Sequence, residues 1–420
     1  MEVLWLSHLV PYPPKAGVLS RSYNLLREVS KYHNVHLVSF VQRSWFQTFY
    51  RDVQLGLVDA REHLGKFCTV HDFVPIDVER LGAAGKWWLA ARSVVAPGGY
   101  TVRWLHSANM RKALARLSSR SEFDIIHFDT ISLASYRSEF PAAAATLGHH
   151  NIESHMLERR AASDTNPLRR AYFRREAHRL RIYEGRVASE FDCHITCSPL
   201  DSERLREIVP GLNVADVPNG VDLDYFQPGR VQPVAHDLVF VGTMDWYPNI
   251  AAVQFLLDEV WPIVQKRRPG TTLAIVGSRP SMALRERAEI DPNLNVYGYV
   301  DDVRPFLEGA KVFVCPIRDG GGTKLKILDA MAMQCCILAH PVACEGIDVV
   351  DRDSVWLARS ACEFADSIEE LIVAPEQRGL LGQRARTVAE EKFSYRALGE
   401  QLASIWERSA VLHRERHQAH

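Results

Sequence analysis

The stretch Pro316-Ile-Arg-Asp-Gly-Gly-Gly-Thr-Lys-Leu-Lys-Ile-Leu-Asp-Ala-Met-Ala332 follows an apolar run at residues 312–315, so strand end, glycine loop and helix start meet in one place. A loop of this kind leaves backbone N–H groups free, and the positive end of the helix faces the same way. Lys324 and Lys326 stand in the first turn, where a cation opposes the helix dipole unless an anion lies nearby. Asp329, one turn further on, offers a carboxylate to hydroxyl hydrogens. Phosphates, cations and a hydroxyl acceptor in one turn suit a nucleoside diphosphate.

Working outward, short β-rich runs alternate with helical patterns, the sequence form of parallel sheets covered by helices. Strands are predicted at residues 3–6, 35–40, 125–128 and 194–197 in the first half, and at 238–241, 273–276, 312–315 and 336–339 in the second. Each half therefore reads as a doubly wound sheet, and 420 residues are too many for one ordinary core. The turn-rich segment from Val214 to Pro233 reads as the connection. The expected domains are 1–215 and 216–394, with a helix at 395–412 packing back on the body and a disordered tail at 413–420. A helix is expected after Tyr247-Pro248, capped by Asn249 and bent at Pro262.

With 50 Lys and Arg against 51 Asp and Glu, whole-molecule attraction to nucleic acid is not indicated. The eight cysteines lack the paired spacing of a zinc ribbon, and most lie in apolar runs, as reduced buried thiols do. No segment has the length and apolarity of a membrane span, and the start Met1-Glu-Val-Leu-Trp-Leu lacks a basic lead. A cytoplasmic protein is expected.

Five pieces in order resemble the retaining glycosyltransferases of family 4. They are Pro11-Tyr-Pro-Pro-Lys-Ala-Gly17, His150-Asn-Ile-Glu-Ser154, Val217-Pro-Asn-Gly-Val-Asp222, Phe240-Val-Gly-Thr-Met-Asp-Trp-Tyr-Pro-Asn249, and the glycine run with Cys344-Glu-Gly346 beyond it. Each is weak alone; their order and spacing make the likeness specific. The last two are most similar to sugar transferases of bacterial exopolysaccharide and surface-glycan clusters. The resemblance implies an α/β protein of the GT-B fold, two facing Rossmann-like domains with a cleft between them. It implies transfer of a sugar from a UDP- or GDP-linked donor to a hydroxyl of a glycan, lipid-linked or small-molecule acceptor, without cofactor or metal.

The resemblance assigns donor binding to Gly17, Gly242, Thr243, Gly321, Gly322, Thr323, Lys324, Lys326 and Asp329, and catalysis to His150, Lys324 and Asp319. Asp329 matches a glutamate that clamps the ribose hydroxyls, one methylene shorter here. His150 matches the histidine that faces the donor sugar, although His149 beside it leaves a one-residue shift open. Two departures stand out. The loop after Gly242 reads Thr243-Met-Asp-Trp-Tyr and lacks the arginine and lysine that neutralise the diphosphate in much of the family, so Lys324 and Lys326, with Arg318 as an outside candidate, must serve. Gly321 stands where the family has a first glutamate, and Asp319 replaces it only if the loop carries an extra residue or two.

The arginine-rich segment 158–186, with Tyr172, Phe173 and Tyr183, fits either a helix resting on anionic lipid or a charged exposed helix. The patch at residues 85–91 fits an acceptor or membrane surface, or core. Competing readings are a nucleotide-sugar hydrolase or epimerase of the same fold, and a degenerate sugar-nucleotide-binding partner subunit. A dinucleotide oxidoreductase is disfavoured, because no Gly-x-Gly-x-x-Gly opens a helix after the first strand.

Overall fold

The computed structural model describes residues 1–14, 17–80, 82, 85, 88–89, 93, 99–320 and 323–418. The chain forms two compact units, Met1–Pro218 with Arg396–His420, and Asn219–Tyr395.

The first unit is built on seven parallel strands: β1 (Glu2–Ser7), β2 (Asn34–Val41), β3 (Thr69–Pro75), β4 (Ile125–Phe128), β5 (Ala144–His149), β6 (Cys193–Thr196) and β7 (Val214–Asp216). Their order across the sheet is β3-β2-β1-β4-β5-β6-β7, so the winding reverses between β1 and β4. That reversal opens a crevice at the carboxyl ends of the two strands. β1, β4 and β5 are buried almost throughout because helices cover both faces, which explains the apolar runs of the first two.

The second unit repeats the plan with β8 (His236–Val241), β9 (Leu273–Val276), β10 (Leu294–Tyr297), β11 (Ala310–Cys315), β12 (Ile337–Ala339) and β13 (Trp356–Leu357). The order is β10-β9-β8-β11-β12-β13, all parallel, with its reversal between β8 and β11.

All eight strands expected from apolar runs are present, within two residues at each end. Five others carried no such run. β3 is largely half-exposed, β5 is alanine- and glycine-containing, and β7, β10 and β13 are edge or near-edge strands with partly exposed positions. Val214–Asp216, assigned to the connection, pairs with β6 and belongs to the first sheet.

The C-terminal helix runs Tyr395–Gln418, so residues 413–418 of the segment expected to be a disordered tail are helical, while residues 419 and 420 lie outside the described residues. Its anchor is His413, a buried residue whose Nδ1 lies 3.0 Å from Asp192 Oδ2. Trp406 on the same helix is fully buried and meets Trp5 of β1 edge-on, ring centroids 5.8 Å apart. In the second unit the helix expected after Tyr247-Pro248 begins at Tyr247, with Trp246 and not Asn249 at the cap position. It passes through a π-helical turn, Leu256–Val260, just before Pro262, whose missing N–H disrupts the regular hydrogen-bond ladder.

Candidate functional site

In the second unit the site grows from the ends of β8 and β11. Gly242 follows β8 and its N–H donates to Val276 O at 2.9 Å. A Cβ on Gly242 would lie 2.5 Å from Lys326 Nζ and 2.8 Å from Asn249 Nδ2. The glycine therefore makes room for an ammonium group from the later helix, a packing role the sequence did not reveal.

That helix, Leu325–Ala332, follows β11 through the glycine loop. Lys324 occupies its cap position, and no side chain caps the first-turn amides. Lys324 Nζ donates to Gly320 O at 2.7 Å, folding the loop back on the helix start. Gly320 has φ +103, a conformation that favours glycine, and its N–H donates to Asp319 Oδ1 at 2.6 Å.

Lys326 points under the strand end. Its Nζ donates to Asn249 Oδ1 at 2.6 Å and sits 4.7 Å from the centre of the Phe240 ring. Asn249 is buried, and its amide donates to Thr243 O at 2.8 Å, so one asparagine ties the lysine to the loop after β8. Withdrawal from water pushes Lys326 down to about 8 and Asp329 up to about 7, the nearby Lys326 charge only partly offsetting the latter. Thr323 Oγ1 is buried without a hydrogen bond among the described residues. Gly321 and Gly322 lie outside the described residues. Arg318 is engaged elsewhere, stacked 3.9 Å over Phe255.

In the first unit a second cluster forms where β1, β4 and β5 end. Asp129 follows β4 and is almost fully buried. His8 Nδ1 lies 3.1 Å from its Oδ2, and His150 Nε2 lies 3.2 Å from its Oδ1, off the line of a well-formed hydrogen bond. The Ser22 hydroxyl donates to the same carboxylate at 3.2 Å, while the Ser7 hydroxyl, 3.1 Å from it, makes its shorter bond, 2.7 Å, to the Leu9 carbonyl. Burial alone would raise Asp129; the two imidazoles overcome it and hold the carboxyl well below its usual range. Burial lowers His150, with Asp129 pulling the other way.

His149 and His150 are separated by this geometry. His149 is core, its Nε2 3.0 Å from His194 Nδ1, whereas His150 turns to Asp129. Gly17 is the first residue of the helix Gly17–Val29, which carries Ser22 to the cluster and Arg21 to the carbonyls of Val217 and Pro218, at 2.7 and 2.6 Å. His8, Asp129 and Asn249 were missed in the sequence. Each is a lone residue, and only its position just past a strand, or 77 residues from its lysine partner, gives it meaning.

The arginine-rich segment contributes the helices Glu153–Ser163 and Pro167–Val187. The second buries Phe173, Ala177, Leu180 and Tyr183, and exposes Leu168, Tyr172 and Ile182 among its arginines. In the patch at residues 85–91, Trp88 is exposed and Leu89 buried, while residues 86, 87, 90 and 91 lie outside the described residues. No helix among the described residues is long and apolar enough to cross a membrane. All eight cysteines are free, and only Cys362 is exposed.

Comparison with known proteins places this architecture. Sucrose-phosphate synthase from Thermosynechococcus elongatus superimposes with a TM-score of 0.69 over 97% of this chain and 99% of that one, at 16% identity. Anabaena Alr3699/HepE in complex with UDP gives 0.62 over 97% and 100%, at 12% identity. The fold is that of the GT-B glycosyltransferases. At such identities the likeness is one of fold alone. In sequence, residues 235–373 match the family described as glycosyl transferases group 1, a span that contains Gly242, Asn249, Lys324, Lys326 and Asp329. An uncharacterised 44.6 kDa protein in the cps region of Klebsiella pneumoniae is 26% identical over 139 residues, 31% of this chain and 36% of that one. A GDP-mannose-dependent monoacylated alpha-(1-6)-phosphatidylinositol monomannoside mannosyltransferase of Corynebacterium glutamicum is 26% identical over 209 residues, 45% and 55% of the two chains. The matches thus span about a third and about half of these relatives' lengths.

Proposed function

We propose that the protein is a retaining family 4 glycosyltransferase that moves a hexosyl group from a UDP- or GDP-linked donor to a hydroxyl of a glycan, lipid-linked or small-molecule acceptor. The observation that carries the reading is the second unit's turning point: an uncapped helix start, Lys324 at its head, and Lys326 held beneath Gly242 by Asn249. A helix start and two ammonium groups at the carboxyl ends of β8 and β11 are what a leaving diphosphate requires.

In this reading the bond from the anomeric carbon to the diphosphate oxygen breaks while the acceptor oxygen bonds to the same face. The acceptor's proton passes to the departing phosphate oxygen. Lys324, Lys326 and the helix start stabilise the charge that collects there, without metal; Thr323, Gly321, Gly322 and Thr243 complete the phosphate cradle. Asp329 receives the ribose hydroxyls, Asp319 takes the place of the family's first glutamate, and His150 with the Gly17 loop serves the transferred sugar from the first unit. A cytoplasmic enzyme of exopolysaccharide assembly, resting on anionic lipid through segment 158–186, fits the exposed arginines and apolar side chains there. The Klebsiella relative encoded in a cps region and the lipid-acting Corynebacterium relative support that setting.

The test is product stereochemistry. Donor and a panel of alkyl glycosides and polyprenyl-linked sugars are incubated with the protein, and the new anomeric signal is read by proton NMR. The configuration of the donor is expected; an inverted product refutes retention, and donor hydrolysis without acceptor refutes transfer.

A further inference from the structure

The cluster in the first unit carries more than a lone histidine. Asp129 is the only carboxylate shared by His8 and His150 among the described residues, and it meets opposite kinds of ring atom: Nδ1 of His8 at 3.1 Å and Nε2 of His150 at 3.2 Å. A carboxylate oxygen and a bare ring nitrogen both carry lone pairs and repel at these distances. A proton must therefore lie on each nitrogen that faces Asp129. In a neutral imidazole the other nitrogen is then an acceptor. His8 is left with Nε2 as acceptor and His150 with Nδ1.

We infer that the first unit holds a hydroxyl-binding site in which Asp129, braced by Ser22, fixes His8 and His150 in opposite tautomers and so presents two imidazole acceptors to a sugar or polyol ligand. Three observations support it. The two rings lie 5.4 Å apart, centroid to centroid, so one ligand can meet both. Each ring keeps 12% of its side chain exposed, and neither has a further partner among the described residues. Third, the cluster sits at the carboxyl ends of β1, β4 and β5, where the winding of this sheet reverses and open sheets bind ligands.

Asp129 stays ionised, because the hydrogen bonds the two rings donate favour its charged form. It acts through the rings as a positioning residue, and His8 joins His150 as a ligand-contacting one. The kinetic part of the test rests on the transfer reading; the structural part does not.

The test uses full-length protein labelled with 15N at histidine. Long-range proton–nitrogen spectra at pH 7.5, assigned with His8→Gln and His150→Gln, are expected to show protonated Nδ1 with bare Nε2 in His8, and the reverse in His150. The opposite tautomer at either ring, an imidazolium at either ring, or a stoichiometric metal ion by elemental analysis would overturn the inference. In Asp129→Asn the carboxamide offers one acceptor and one donor, so one ring is expected to keep its tautomer and the other to reverse. With that change kcat is expected to fall at least tenfold while donor KM stays within twofold; an unchanged kcat contradicts the role. If this variant does not fold, the wild-type spectrum alone decides. Expected tautomers in a protein that transfers no sugar would sink the transfer reading and leave this one standing, and the converse result would do the reverse.

Discussion

Replacing Gly242 by alanine perturbs the proposed donor site through one methyl group. Its backbone is not in the left-handed region, so the substitution itself is unstrained. The new Cβ, however, would lie 2.5 Å from Lys326 Nζ and 2.8 Å from Asn249 Nδ2, where ordinary contacts begin near 3.4 Å. The lysine end is flexible and moves first, breaking its bond to Asn249; a charge-assisted bond of this kind contributes about 1.5–3 kcal/mol. Crowding of a packed region costs a further ~1–3 kcal/mol, and the smaller unfolded-state entropy of alanine returns only ~0.4–1 kcal/mol. A net loss of about 1.5–5.5 kcal/mol is expected, a fall in Tm of roughly 2–4 °C per kcal/mol for a unit of this size. Displacement of the ammonium group should also weaken nucleoside diphosphate binding about tenfold. The control is Gly379→Ala, inside the helix Pro375–Lys392 with nothing near its Cβ, which should raise stability by up to ~1 kcal/mol and leave binding alone. Calorimetric titration with UDP and GDP and thermal melts read both quantities. Wild-type affinity and Tm in Gly242→Ala would refute the packing of Lys326 beneath the strand end.

Three further outcomes follow from the same structure. Lys326 is charged below about 8 and loses its proton above it, so diphosphate affinity should decline as pH rises from 7 to 9, and the decline should vanish in Lys326→Ala; titrations across that range check it. Asp329→Ala should weaken nucleoside diphosphates but not inorganic pyrophosphate, since only the former bring ribose hydroxyls, and competition assays distinguish the two. Trp406→Ala should cost ~3–5 kcal/mol in denaturant melts, because a fully buried indole leaves a cavity against Trp5.

The central strands of both sheets were readable because they are buried on both faces and appear as plain apolar runs, Leu273–Val276 being the clearest. Edge strands were not: β7 and β13 are two or three residues long and partly exposed, so they leave almost no pattern. The glycine loop and its lysines were readable as a strand-to-helix turn, since spacing alone puts them at a helix start. The sequence did not show that Lys326 turns inward to Asn249, because that pairing spans two strands of the fold. His8 and Asp129 were invisible for a related reason: neither has a motif, and β1 and β4 must lie side by side before one carboxylate can reach both imidazoles. The helical end of the chain was missed because its polar composition hides His413, whose burial depends on Asp192 in the first sheet's neighbourhood.

The most direct test of donor binding is a thermal-shift panel of the purified protein with UDP, GDP, ADP, dTDP and their sugars, since a ligand that binds only the folded state raises its apparent stability. The account predicts a dose-dependent rise with one base, lost in Lys326→Ala and Asp329→Ala. No rise with any nucleotide at millimolar concentration, confirmed by calorimetry, would contradict it.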